Sequence, residues 1–189
     1  MNTLTPPLRA CLVLVIAPKP TGVRKTNAAE MLTLTARLAL NGKVCVLDGG
    51  NSFEAYTVAR RLRSFTPQVE ATLARIHIQR AFTCYQLLTL LEETPSTLSP
   101  TLVLDALTTF HDESVALSER IRLLRACTQH LKRLSQTGPV VVCARPAGTQ
   151  PESGRLLTIL QAPCDLVWQP FVPEQPLAPM YLPGFAPRG

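Results

Sequence analysis

Charge is scarce in this sequence. Only 17% of its 189 residues are Asp, Glu, Lys or Arg, little for a protein that keeps to itself in solution. No two of the six cysteines have CxxC spacing, which argues against a zinc site. No apolar stretch approaches the length of a membrane span. The apolar run Ala10–Ala17 is short and flanked by prolines, and a basic loop rather than a small-residue cleavage site follows it. No export signal is therefore expected. Glycine is outnumbered, nine against seventeen prolines. No internal repeat is visible.

What is present suffices for one packed domain. The apolar fraction is 46%, and the length is that of a single domain with a proper core. Prolines gather at the two ends, so residues 1–169 are expected to form the α/β domain, with its compact part between Leu8 and Gln169. Residues 170–189 are expected to form a proline-rich tail or a last edge strand. The net charge of +6 suits a polyanionic partner and equally suits a basic protein with none. Cys11, Cys45 and Cys143 lie in apolar, strand-like runs, where cysteine behaves as a small hydrophobe. All six cysteines are expected to be reduced, which implies a cytoplasmic protein.

Two periodicities alternate along the chain. Short β-rich runs occupy Cys11–Ala17, Lys43–Asp48, Arg75–Gln79, Thr101–Ala106, Pro139–Ala144 and Asp165–Gln169. Helix-like stretches occupy Asn27–Leu40, Phe53–Ser64, Thr83–Glu93 and Glu113–Gln136. This alternation predicts βαβ units and a mainly parallel central sheet with helices on both faces. The strands read as continuous apolar runs, as burial on both faces requires. Thr94–Pro100 and Arg145–Gly154 are expected to be loops.

Three segments could carry chemistry. Lys19-Pro20-Thr21-Gly22-Val23-Arg24-Lys25-Thr26 follows the first strand, where a phosphate-binding loop belongs. Lys25 and Thr26 match that motif and Gly22 suits its middle, but Lys19 and Arg24 replace both motif glycines. Glycine permits the close backbone approach that a phosphate cradle uses. With arginine there, the loop could bind phosphate with an added cation, fill the anion site with its own side chain, or be an ordinary turn. Thr101-Leu102-Val103-Leu104-Asp105 has the Walker B pattern, a strand ending in a carboxylate that holds a magnesium shell. Val46-Leu47-Asp48-Gly49-Gly50-Asn51-Ser52-Phe53 places Asp48 at a strand end, either on the ligand edge of the sheet or in a turn where Ser52 caps the next helix.

Together these segments resemble the RecA superfamily of P-loop ATPases, in the branch of RadA-type recombinases and KaiC-like ATPases. The residues that carry the resemblance are Lys25-Thr26, the turn LDGGNSF, the segment RIHIQRAFTCYQLLTLLEE with Arg80-Ala81-Phe82 leading to Tyr85-Gln86, and TLVLDAL. It spans roughly Leu12 to Gln169. It implies a RecA-like fold, binding of ATP and Mg²⁺, homo- or hetero-oligomeric assembly, and a role in DNA recombination or repair. Gly22, Arg24, Lys25, Thr26, Asp48 and Asp105 would then face the nucleotide, with Thr26 and Asp105 at the metal. Such recombinases carry a water-orienting glutamate in the turn after the second strand. Here that place falls at or near Gly50, and no acid lies between Asp48 and Glu54. With the cradle glycines also replaced, efficient turnover is not expected. The loop after the fifth strand would carry DNA contacts through Arg145 and Arg155, with no aromatic for base stacking. Arg60, Arg61 and Arg63 form a second basic cluster, for which a solvated helix face is the plainer reading. A working ATPase with an atypical loop, and a scaffold without nucleotide or DNA, are the alternatives.

Overall fold

Valine, leucine and isoleucine dominate the strand runs, and the chain buries them on both sides of one sheet. The computed structural model describes residues 9–17, 26–145 and 151–169. The strands are β1 (Leu12–Ile16), β2 (Val44–Asp48), β3 (Ile76–Arg80), β4 (Thr101–Leu104), β5 (Val140–Ala144) and β6 (Leu166–Trp168). They form a six-stranded sheet of order β3-β2-β4-β5-β1-β6, and every pairing is parallel. The helices are α1 (Thr26–Asn41), α2 (Ala55–Leu62), α3 (Val69–Leu73), α4 (Cys84–Glu93), α5 (Leu117–Ser135) and α6 (Pro151–Gln161).

Side chains on the four inner strands alternate between two cores. Val13, Val15, Val44, Val46, Leu102 and Leu104 meet α1 and α2 on one face. Leu12, Leu14, Leu47, Val103, Val140 and Val142 meet α4, α5 and α6 on the other. The strand order explains this split. The connections leaving β1 and β2 step toward the β3 edge, and those leaving β3, β4 and β5 step the other way. Crossovers of one hand must then place α1–α3 on one face and α4–α6 on the opposite face.

Two arginines close helix C-termini, where carbonyls lack helical partners and a cation is favoured. Arg75 donates to the carbonyls of Ala39 and Leu40 at the end of α1, at 3.2 and 2.9 Å. Arg133 donates to those of Leu91, Glu92 and Thr94 at the end of α4. At the start of α4, Thr83 accepts from the Gln86 N–H while the Gln86 side chain accepts from the Phe82 N–H. This reciprocal cap accounts for Gln86 in the segment after the third strand.

The sequence expectations are met in outline and missed in four details. The loop expected over Arg145–Gly154 gives way to α6 at Pro151, which places Arg155 on a helix. The short α3 was not anticipated, and α5 starts at Leu117 rather than Glu113. Arg120, a charged residue within the expected long helix, is buried and donates to the Phe110 carbonyl and to Glu152. All six cysteines are unpaired, and burial pushes the thiols of Cys127 and Cys143 up to about 12. Among the described residues, no helix is long and apolar enough to cross a membrane. The segment 170–189 lies outside the described residues.

Candidate functional site

In an open parallel sheet, ligands bind beyond the C-terminal strand ends, where neighbouring strands send their connections to opposite faces. The order of this sheet creates three such places, between β3 and β2, between β2 and β4 and between β5 and β1. Asp48 ends β2, Asp105 follows β4 and Arg145 follows β5, so three charged residues converge on this edge.

Asp48 is fully buried. One carboxylate oxygen accepts from the Gly50 and Ser52 N–H groups, at 3.3 and 3.0 Å, and from the Ser52 hydroxyl at 3.3 Å. The other accepts from the buried Phe53 N–H at 2.9 Å and lies 3.5 Å from Arg80 Nε. Arg80 in turn donates to the Phe53 carbonyl. The side chain therefore organises the turn that leaves β2, as short acidic residues do when they capture nearby backbone N–H groups. The sequence allowed Ser52 to cap the following helix. Instead that helix starts at Ala55, its N-cap is Glu54 without a side-chain cap bond, and Ser52 serves as a donor to Asp48.

Asp105 stands at the matching point of β4. Its φ of 47° is in the left-handed region, which Asp tolerates better than most residues. That conformation turns the chain out of the strand, so that the Ala106 N–H reaches the Cys143 carbonyl at 2.9 Å. The side chain is 8% exposed and accepts from Arg145 Nη2 at 2.9 Å. The Ser52 hydroxyl also reaches it, so this hydroxyl lies between the two carboxylates. Burial holds the Asp105 carboxyl above the ordinary carboxylate range, and the Asp48 charge adds to this. Arg145 and Ser52 pull against it.

Gly50 lies directly beneath Asp105. A Cβ built on it would collide with Asp105 Cβ and stand 2.9 Å from Oδ2. The missing acid in this turn is thus matched by a missing space. The loop residues Gly22, Arg24 and Lys25 lie outside the described residues. Thr26 heads α1, and its side chain also lies outside them. Arg155 is exposed on α6 and makes no hydrogen bond or ion pair with the described residues. The structure therefore joins Asp48, Gly50, Ser52, Asp105 and Arg145. Among the described residues, no group of three or more His, Cys, Asp or Glu side chains is arranged to hold a metal.

A pH-dependent prediction follows from the ion pair. Replacing Arg145 by Ala leaves a shielded carboxylate without its cation and should cost about 1–2 kcal/mol at neutral pH, Arg145 itself being half exposed. Asp105 already titrates above its unfolded value, and loss of Arg145 raises it further. A raised carboxyl favours folding when protonated, so its cost is present above the folded value and vanishes on acidification toward the unfolded value. The stability gap between wild type and Arg145→Ala should accordingly shrink as pH falls from 7 to about 4, in denaturant titrations at each pH.

No protein-family model matches the chain, and no curated protein matches it.

Proposed function

We propose that the chain is a RecA-like protein that binds ATP weakly or not at all, does not turn it over efficiently, and acts through binding in DNA recombination or repair. In this reading it assembles with copies of itself or with an active relative. The strand order supports the architecture. The first strand and the strand of Asp105 are separated only by β5, about 10 Å at ordinary strand spacing. A nucleotide loop after β1 and a carboxylate after β4 would thus share one edge.

The observation that carries the functional reading is the Asp105–Arg145 ion pair seated on Gly50. The residues do not fit a magnesium ion well. A divalent cation wants several oxygen ligands, yet Asp105 offers one oxygen to a guanidinium and Asp48 spends both of its own on the turn. A fixed internal cation already satisfies the charge that the metal would neutralise. Nor does the site leave room at Gly50 for an acid that orients water. Phosphoryl transfer relies on positioned charge more than on covalent chemistry, so these replacements act on its main source of rate.

The test is calorimetric titration of the protein with ATP, with and without Mg²⁺. Affinity should be weak and unchanged by magnesium. A tenfold tightening by magnesium that disappears in Asp105→Asn would overturn the reading.

A further inference from the structure

We propose that the outer face of α2 is a single-stranded nucleic-acid contact surface, separate from the strand-end site. Val58 and Leu62 turn the helix toward the core. At 3.6 residues per turn, Tyr56, Arg60 and Arg63 at i, i+4 and i+7 then fall together on the opposite side. All three are exposed, Tyr56 to 74%. The stripe is about 10 Å long at 1.5 Å per residue. Arg61 flanks it. Beyond its C-terminal end, Phe65 is 40% exposed and lies 5.6 Å from the Arg37 guanidinium of α1.

The cations of this region separate into two kinds. Arg75 and Arg80 are spent on backbone carbonyls and on Asp48. The side chains of Arg60, Arg61 and Arg63 make no hydrogen bond or ion pair with the described residues. The nearest acids in sequence are Glu54, which is held by Thr57, and Glu70 on α3. Uncommitted guanidinium groups in line with an open aromatic ring match a single strand, with phosphates on the arginines and a base stacked on Tyr56. An acidic protein would use the arginines and have no need of the ring. The inference rests on the nucleic-acid part of the proposed function and moves the contact from Arg145 and Arg155 to a helix that the strand-end site does not use.

The experiment is fluorescence anisotropy of the full chain with a labelled oligo-dT across a salt series. Circular dichroism confirms that each variant is folded. Arg60→Ala with Arg63→Ala should lower the slope of log affinity against log salt by about 1.4, two phosphate contacts at about 0.7 each. Tyr56→Ala should weaken binding about fivefold or more at constant salt, and Tyr56→Phe should restore it. No effect of the arginine pair, with binding lost instead in Arg155→Ala, would overturn this surface and leave the broader nucleic-acid role standing. An arginine effect with an unmoved Tyr56→Ala would reduce the face to phosphate contact without base stacking and overturn its assignment to a single strand. Absence of oligo-dT binding by the wild type would overturn both.

Discussion

Asp48→Ala should be among the most destabilising single substitutions in this protein, at about 3–5 kcal/mol. The carboxylate is fully buried and gathers the N–H groups of Gly50, Ser52 and Phe53. Alanine leaves those donors without an acceptor, removes one partner of the Ser52 hydroxyl and leaves Arg80 only the Phe53 carbonyl. Water can reach the exposed side of the turn, but Phe53 is buried and its N–H is shielded. Asp48→Asn keeps one acceptor oxygen and turns an NH₂ toward a donor, so its cost should be intermediate. Urea denaturation followed by circular dichroism measures both. A neutral Asp48→Ala would mean that the turn does not depend on the carboxylate, and Asp48 would again be available to a ligand.

Gly50→Glu, which places an acid in the turn that leaves β2, should destabilise by about 3 kcal/mol and should not create activity. The first added carbon collides with Asp105 Cβ. Relief requires moving either the turn that Asp48 holds or Asp105, whose backbone is fixed by the Thr108 N–H on its carbonyl. A second carboxylate beside a shielded one adds repulsion. Gly50→Ala isolates the steric part, at about 1–3 kcal/mol. Asp105→Gly removes the opposing Cβ and suits the φ of 47°. Gly50→Ala should therefore cost much less in an Asp105→Gly background, a coupling that a double-mutant cycle reads directly. Additive costs would show that the two residues do not press on each other.

The sequence made the sheet legible because its strands are buried on both faces, which writes them as unbroken runs such as Val140–Ala144. It also placed Asp48 and Asp105 at strand ends, since in a parallel sheet the last strand residue lies on the binding edge. Other features left weaker marks. Helix α6 contains Gly154, which disguised it, although Pro151 at its first position is a recognisable start signal. Helix α3 has only five residues, too few for a helical period to appear. The burial of Arg120 depends on Phe110 and Glu152, distant in sequence, and no local pattern announces it. The same holds for the pairing of Asp105 with Arg145 across forty residues. The Asp48 turn was locally written, since its partners follow within five residues. Sequence alone could not choose between Asp48 on the ligand edge and Ser52 as a helix cap, because both readings suit the same residues between a strand and a helix, and neither named Asp48 as the acceptor that holds the turn.

Steady-state ATP turnover at saturating Mg²⁺, compared among the wild type, Lys25→Ala and Asp105→Asn, tests most directly whether Arg145 has taken the place of the metal. The ion pair on Gly50 predicts three equal rates at the background of uncatalysed hydrolysis. Wild-type turnover that either substitution abolishes would contradict it and identify a working ATPase with an atypical phosphate loop.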